Sequence, residues 1–371
     1  MADWSSVETP KPGTGHSNRH ATQAPESVGR ATDSLASRSS VLPHRSMPSS
    51  CTQLSTVMNS NSKGGLMAYT DVTVEEASWL LTAAGVAPLS KIQPLTGGWA
   101  NSNYLLTLND GTQLVLKVWD EKSPDEVELV IKHTCWLADH GVPTPAPLLL
   151  GENKWMLVKD NLAWMLMPYI DGGWLPSDSS SLYELGKTQA QLHEVPIHES
   201  IPTTFAIGYV LWEKLVKDAR KKDSMTPFLQ MLEKETHLLK QRIPMDLPCG
   251  IIHGDLYPDN VIGRKGEVLA LLDFEEICIE SFAMDLVSTY VGFGWKDGLP
   301  VPELWDALLA GYQSVRPLTD AEHAALPDLH RYAVLAVSAW RYWQFVVNVP
   351  GTEHANRYLE MVDRLDKSLP F

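Results

Sequence analysis

The chain has 371 residues, a formal net charge of −15 and 44% hydrophobic residues, which is enough for one domain with a sizeable core. The excess of acids argues against nucleic acid as a partner, and no run of 18 apolar residues is present, so we predict no membrane span. Four cysteines, Cys51, Cys135, Cys249 and Cys278, lack metal or disulfide spacing, so we expect no zinc, no disulfide framework and a reducing compartment, the cytoplasm.

Residues 1–66 differ in composition from the rest of the chain. They contain 14 Ser, 6 Thr and 5 Pro, few large apolar residues and no periodicity that would bury a face. We expect such a segment to be disordered. A plastid or mitochondrial transit peptide is a second interpretation, and a later translation start at Met47, Met58 or Met67 is a third.

The first periodic segment follows directly after this region. Thr73 with Glu76 three residues on forms a capping box, and apolar residues recur at helical spacing up to Gly85, so we predict a helix. Two strand-like runs then flank the Asp110-Gly111 pair, which is a strong hairpin signal. The chain therefore enters a β-rich region after one helix.

A glycine pair and a lysine stand out in this β-rich region. Gly97 and Gly98 lie in the turn before the first strand, and the second strand ends with Lys117 between two apolar neighbours. ATP-binding kinase lobes place a glycine-containing loop and a strand lysine around the nucleotide phosphates. We therefore predict that Gly97 and Gly98 cover a nucleotide and that Lys117 contacts its phosphates.

The next helix, residues 124–141, is expected to supply a carboxylate that holds the Lys117 ammonium in place. Two residues compete for this role. Glu126 has the apolar Val130 one turn further along, which suits a side chain that enters the space between two lobes. Glu128 has Lys132 four residues on and would form a surface pair in the other interpretation. Spacing favours Glu126 and leaves Glu128 open.

Residues 165–170 have the pattern of a hinge between two lobes. Their backbone groups are suited to hydrogen-bond an adenine edge, while Met167 and Tyr169 supply apolar contact. Beyond this point the pattern becomes helical, over residues 182–195 and 211–243. We therefore predict an α+β protein with a small antiparallel β-sheet lobe and a larger, mainly helical lobe.

The richest stretch is residues 251–276, IIHGDLYPDNVIGRKGEVLALLDFEE. Asp255 is followed five residues later by Asn260, and an apolar run then ends at Asp273. Phosphoryl transfer from ATP needs one acid to orient the attacking hydroxyl, and an amide oxygen with a second acid to hold Mg²⁺ on the phosphates. We assign Asp255 to catalysis and Asn260 and Asp273 to the metal.

These residues resemble the kinase pattern HRD-x4-N followed by DFG, with Gly254 in place of the arginine and Glu275 in place of the last glycine. HGD-x4-N with DFE is similar to the aminoglycoside phosphotransferase and choline kinase-like small-molecule kinases. Within them the chain most resembles type II homoserine kinases, through GGWANSNYLL, DHGVPTPAP, HGDLYPDN and LDFEEICIESFAMDL.

The resemblance implies a protein-kinase-like fold, with residues 67–170 as the ATP-binding lobe and residues 171–371 as the lobe that holds the substrate. It implies ATP and Mg²⁺ as cofactors and a small amine-bearing molecule as hydroxyl substrate: homoserine first, then an aminoglycoside, hydroxylysine, choline or ethanolamine. It also implies a structural role for His253 and for Asp285, which would brace the HGD loop. Local similarity to hydroxylysine kinase-like sequences favours Glu128 as the partner of Lys117.

Three further residues are candidates for substrate recognition. Glu275 and Glu276 follow the metal aspartate and would attract a substrate ammonium; the alternative is a solvated acid pair. Arg341, and ten residues earlier Arg331, lie in an apolar stretch where one guanidinium would clamp a substrate carboxylate, unless both are paired with acids. A nucleotide-binding pseudokinase is the competing hypothesis, and nothing in the sequence indicates an oligomeric state.

Overall fold

The computed structural model of the protein describes residues 70–95 and 101–371. The predicted disordered segment 1–66 and the glycine pair Gly97 and Gly98 lie outside these residues. The first described helix, α1 (Val74–Ala84), begins at the predicted capping box, in which Thr73 and Glu76 cap each other. It ends where Gly85 adopts φ +65°, a left-handed conformation that glycine takes without strain.

Five antiparallel strands form the sheet of the smaller lobe, in the order β1-β2-β3-β5-β4. The hairpin between β2 and β3 turns at the predicted Asp110-Gly111 pair, where Gly111 has φ +87° and the Asp110 carboxylate accepts from the Thr112 N–H. The strands are β1 (Leu89–Pro94), β2 (Asn101–Leu108), β3 (Gln113–Trp119), β4 (Leu157–Lys159) and β5 (Leu162–Pro168).

The two faces of this sheet are covered by different helices. One face buries Leu116 and Leu166 against α1. The other buries Trp119 and Met165 against α2 (Pro124–Asp139). Because side chains alternate along a strand, Lys117 lies on the α2 face, opposite Met165 of β5.

The larger lobe is mainly helical and holds the largest hydrophobic core of the described residues. Between Pro168 and Gly173 the chain leaves the first sheet and pairs with a second, so the predicted boundary at residue 170 falls in this connection. The helices are α3 (Ser179–His193), α4 (Tyr209–Lys221), α5 (Pro227–Arg242), α6 (Phe282–Phe293), α7 (Pro302–Gln313), α8 (Asp320–Tyr342), a π-helix (Trp343–Asn348) and α9 (Arg357–Val362).

Short strands frame the middle of this lobe. They pair as β6-β8-β9, β7-β10 and β11-β12, each antiparallel. Their bounds are β6 (Gly173–Trp174), β7 (Cys249–Ile252), β8 (Val261–Arg264), β9 (Glu267–Leu271), β10 (Cys278–Ser281), β11 (Trp295–Lys296) and β12 (Leu299–Pro300). Within residues 70–95 and 101–371, no helix is apolar over a stretch long enough to cross a membrane.

Candidate active site

The HGD loop follows strand β7, which is buried against β10 and α6. Gly254 has φ +80°, and a Cβ at this position would lie 2.5 Å from the backbone oxygen of Glu276. The His253 ring donates from Nε2 to the Leu272 carbonyl (2.9 Å) and accepts at Nδ1 from the Asp255 N–H (3.2 Å). Burial lowers the pKa of His253, so the ring is a neutral structural support that fixes the backbone of the loop.

Asp285 on α6 lies beneath the HGD loop. Its carboxylate accepts from the backbone N–H groups of Gly254 (2.9 Å) and His253 (3.3 Å). It also accepts from Gln189 (2.8 Å) and faces Nε2 of His193 (3.1 Å). Burial opposes its ionisation, but the hydrogen bond from His193 lowers its pKa below the usual range. The loop is therefore held by a charged, fully buried carboxylate.

His193 is a supporting residue that the sequence did not reveal. It lies on α3, and its ring is buried between Asp285 and the Tyr312 hydroxyl, which is 2.7 Å from Nδ1. No local signal points to this role, because its partners lie 92 and 119 residues away in the chain.

Asp255 and Asn260 meet across the turn that closes the loop. The Asn260 amide nitrogen donates to the backbone oxygen of Asp255 (2.8 Å) and to its Oδ2 (2.9 Å). Both bonds use the nitrogen, so the amide oxygen points elsewhere and is available to a cation. Burial raises the pKa of Asp255 well above its usual range, and the nearby Glu276, Asp259 and Asp273 add to this effect.

Asp273 follows β9 in a left-handed conformation, with φ +63°. Its Oδ1 lies 2.8 Å from the Lys117 ammonium, which is buried and lies 3.9 Å from the centre of the Trp119 ring. Desolvation opposes the charge of Asp273, but Lys117 lowers the pKa of this carboxyl. The backbone of Leu272 donates to the Asn260 carbonyl (2.8 Å), which keeps the two polar positions together.

The expected pairing of Lys117 with α2 is wrong. Glu126 accepts from the Ser123 backbone N–H (2.8 Å) and hydroxyl (2.6 Å), in the capping box that starts its own helix. Glu128 is exposed and pairs with Lys132 at 2.8 Å. Both carboxylates are thus used locally, and Lys117 is held from the larger lobe instead.

Glu275 is one of the residues that replace the expected partner. It lies 3.5 Å from Lys117 and 3.4 Å from Lys122, and it accepts from the Asn101 amide at 2.7 Å. Burial raises its pKa to about 7, against the opposing effect of Lys117. The predicted role of Glu275 in binding a substrate ammonium conflicts with this geometry, because its oxygens already face the smaller lobe.

Glu276 differs from its neighbour. It is half-buried, its backbone touches the HGD loop at Gly254, and its charge acts on Asp255. No lysine, arginine or histidine in the part of the chain that the structure describes forms an ion pair with it within 4.0 Å. Of the two predicted acids, Glu276 is therefore the one whose carboxylate has no such ion pair.

The two arginines also differ from each other. Arg331 forms a two-point pair with Glu235 (2.5 and 2.9 Å) and is therefore a structural residue, as the alternative interpretation held. Arg341 donates from one nitrogen to the Arg357 carbonyl and to Glu360, both at 3.0 Å. Its remaining donors are not used in these bonds.

The predicted hinge lies at the end of β5. Met167 pairs with Val115 and packs on the α2 side of the sheet, and the Tyr169 N–H donates to the Gln113 carbonyl at 3.3 Å. Met167 therefore lies on the face of the sheet that carries Lys117, and the contact of both residues with an adenine stays a prediction.

The donor set suits a divalent cation held on phosphates. Asn260 and Asp273 offer one amide oxygen and one carboxylate, and the Asp273 side chain is 37% exposed. Mg²⁺ takes one or two protein oxygens of this kind and completes its shell with phosphate and water. Lys117 lies 2.8 Å from Asp273, and Asn260 donates to Asp255, so the structure brings these four predicted residues together.

Comparisons with known proteins show which proteins this chain is similar to. The homoserine kinases of Rhizobium rhizogenes and of a Chelativorans species are 31% and 30% identical over 292 and 295 residues, which cover 77% of this chain and 90% of each relative. Residues 91–318 match the family described as "Phosphotransferase enzyme family".

Solved structures confirm the two-lobed, kinase-like α+β fold. An amicoumacin kinase in complex with AMP-PNP and Ca²⁺ has a TM-score of 0.62 at 18% identity, over 80% of this chain and 96% of that one. A choline/ethanolamine kinase family protein from Mesorhizobium loti has a TM-score of 0.60 at 16% identity, over 79% and 95%. With the sequence match over more than half of its length, this chain belongs to the phosphotransferase enzyme family.

Proposed function

We propose that the protein is an ATP- and Mg²⁺-dependent kinase that transfers the γ-phosphate to the side-chain hydroxyl of homoserine. The observation that carries the choice of acceptor is the 30–31% identity to proteins named homoserine kinase, over nine-tenths of their length. The solved neighbours share less than 20% identity with this chain, so they support the fold alone. The choice of acceptor is based on the relatives found by sequence.

Each polar residue of the site has a role in this reaction. Asp255 orients the acceptor hydroxyl and takes its proton as the hydroxyl oxygen bonds to the γ-phosphorus and the bond from that phosphorus to the β,γ-bridging oxygen breaks, which releases ADP. Lys117 offsets negative charge on the phosphates, and Asn260 and Asp273 would hold Mg²⁺ there. Mg²⁺, when bound, neutralises charge on the transferring group. Most of the rate enhancement then comes from positioning and electrostatics.

The acceptor ammonium is assigned to Glu276. This carboxylate is half-buried beside Asp255, and no basic residue among those described pairs with it within 4.0 Å. An ammonium bound there would compensate the charge of Glu276 and would place the remainder of a short amino acid next to Asp255. Burial raises the pKa of Glu276, and Lys122 opposes this from beyond 4.0 Å, so a substrate ammonium next to the carboxylate would stabilise its charge.

The test measures ATP consumption by the full chain with Mg²⁺ and a panel of acceptors: homoserine, threonine, hydroxylysine, choline, ethanolamine, methylthioribose and kanamycin. Homoserine is expected to give the highest kcat/KM, and Asp255→Ala is expected to lower kcat by about 10²- to 10⁴-fold while Mg·ATP still binds. Turnover of another acceptor in preference to homoserine would overturn the assignment. Nucleotide binding without turnover of any acceptor would favour the pseudokinase.

A further inference from the structure

Two arginines on separate elements of the larger lobe lie within one helical turn of residues that pack against the same buried cluster as Tyr257. Arg341 lies near the end of α8, and Arg364 follows α9. We call these two residues the arginine pair. Tyr257, two residues after Asp255, packs against this cluster together with Val337, one turn before Arg341, and Leu365, next to Arg364. A Cβ on Gly292 would meet the Tyr257 ring, and the carbonyl of the preceding residue, Val291, accepts from Arg364. The pair therefore lies next to the place where the acceptor hydroxyl must be held.

Arg364 has an unusual environment for a half-buried guanidinium. One nitrogen donates to the backbone carbonyl of Val291 at 2.7 Å, and the group lies 4.7 Å from the centre of the Trp295 ring. Among residues 70–95 and 101–371, no carboxylate lies within 4.0 Å of it. A guanidinium has five N–H donors, so most of those on Arg364 remain for a ligand.

Arg341 is only partly neutralised. Its one carboxylate partner in the described chain is Glu360, whose side chain is 59% exposed and lies on the solvent side. Burial lowers the pKa of Arg341, and the neighbouring Arg357 lowers it further. Burial also lowers the pKa of Arg364, with a contribution from Arg341. Within 4.0 Å, the described residues thus offer these two guanidinium groups one carboxylate, the exposed Glu360.

Tyr257 adds a polar group without a partner. Its ring packs with Val337 and Leu365, and its hydroxyl is buried beside Ser288 but makes no hydrogen bond of normal geometry. A buried hydroxyl of this kind normally has a partner, because leaving it unpaired costs free energy. Both the hydroxyl and the arginine pair would be satisfied by one small anion.

The protein carries a formal net charge of −15, so two half-buried arginines with one carboxylate partner within 4.0 Å among the described residues stand out. We propose that Arg341 and Arg364 bind the carboxylate of the amino-acid acceptor, with the Tyr257 hydroxyl as a third donor. This assignment rests on the proposed function and deepens it. Glu276 would take the ammonium and the arginine pair the carboxylate, so that an α-amino acid is selected over an amino alcohol.

The test compares homoserine with 3-aminopropan-1-ol, the same acceptor without its carboxylate, in the wild type, Arg364→Met and Arg341→Met. Each variant is expected to raise KM for homoserine by about 10- to 100-fold, the size of one lost charge-assisted hydrogen bond. The kcat/KM for 3-aminopropan-1-ol and the KM for Mg·ATP are expected to stay unchanged. Arg220→Met, which removes an exposed arginine paired with Glu233, serves as the matched control.

A binding measurement separates this proposal from the choice of acceptor. L-2-Aminobutyrate has the ammonium and carboxylate of homoserine but no hydroxyl, and calorimetry should detect it with the wild type and not with Arg364→Met. Arg364→Lys, which keeps the charge, should recover part of the binding and shows that the fold is intact. Equal losses with both acceptors in the kinetics, or equal binding of L-2-aminobutyrate to the wild type and Arg364→Met, would overturn the proposal. If the wild type binds L-2-aminobutyrate but does not phosphorylate homoserine, only the assignment of homoserine as the acceptor would be overturned.

Discussion

His330 shows at the scale of one residue how burial sets the response of the protein to pH. Its ring stacks on Trp295 and contacts Phe371, with centroids 5.7 and 6.1 Å away, and its Nε2 is buried without a hydrogen bond. Burial lowers its pKa to about 3, and the charges of Arg364 and Arg331 act in the same direction. The folded protein therefore keeps His330 neutral where an unfolded chain would protonate it.

This depressed pKa predicts a loss of stability in acid. Between pH 6.5 and about 3 the unfolded state binds a proton at His330 that the folded state does not, so the free energy of unfolding falls as the pH falls through this window. From pH 7 to pH 5 the contribution of His330 is about 2 kcal/mol.

Urea unfolding of the wild type and His330→Phe at pH 7 and pH 5 measures this contribution. The variant keeps the ring stacking and cannot titrate, so its stability should fall by about 2 kcal/mol less than that of the wild type. Other buried histidines, such as His133 and His253, titrate in both proteins and cancel in the comparison. Equal losses in the two proteins would show that His330 is already protonated or unfolds locally.

Local signals in the sequence allowed some residues to be assigned and not others. Ser123 followed by Glu126 is a capping box in the sequence itself, so the local role of Glu126 was predictable from the same rule that located α1. The partners of Glu275 were not predictable, because Asn101 lies 174 residues away in the chain and no sequence periodicity links the two residues. Contacts between distant residues depend on the folded arrangement of both lobes.

At the scale of elements, the HGD loop depends on the close approach of two backbone segments. Gly254 combines φ +80° with a space that a Cβ cannot enter, since the Glu276 carbonyl would lie 2.5 Å away. This explains physically why a glycine stands where the protein-kinase pattern has an arginine. The loop and the segment after Asp273 can then pack against each other, which sets the distance between Asp255 and the metal residues.

Gly254→Ala tests this packing, with Gly298→Ala as a matched control. Gly298 has φ +74° and nothing within 4 Å of an added Cβ, so it shares the backbone strain without the clash. Both variants should lose about 1 kcal/mol of stability from the left-handed conformation. Only Gly254→Ala should also lower kcat, by about 10²-fold, because the clash moves Asp255 relative to the phosphates.

Thermal unfolding and steady-state kinetics distinguish the two effects. If Gly298→Ala loses as much activity as Gly254→Ala, then backbone strain, and not the clash with the Glu276 carbonyl, is the cause of the lower kcat.

Whole elements were also predictable where their signals are local in the sequence, and not where they depend on contacts between distant residues. Caps and turn residues located α1 and the β2–β3 hairpin, because their signals lie within a few residues. The pairing of β7 with β10 and of β6 with β8 joins segments 26 or more residues apart. The π-helix after α8 has no amino-acid pattern that distinguishes it from an α-helix. These features are set by packing in the folded lobe, and sequence periodicity does not encode them.

At the scale of the whole molecule, the two lobes are joined across the nucleotide cleft by polar contacts. Lys117, Lys122 and Asn101 belong to the smaller lobe, while Asp273 and Glu275 belong to the larger one. Glu275 alone meets all three groups of the smaller lobe, at 3.5, 3.4 and 2.7 Å. It is therefore well placed to fix the position of Lys117 relative to Asp273.

Replacing Glu275 should separate its charge from its hydrogen bond. Glu275→Gln keeps an oxygen that can accept from Asn101 but removes the attraction to Lys117 and Lys122, whereas Glu275→Ala removes both. Because a half-buried pair loses more than an exposed one when a partner is deleted, KM for Mg·ATP should rise about 10-fold in the alanine variant and less in the glutamine variant. Glu128→Ala, which deletes an exposed carboxylate paired only with Lys132, should leave KM unchanged. An increase in KM for Glu128→Ala with none for Glu275→Ala would mean that α2, and not the larger lobe, holds Lys117 during turnover.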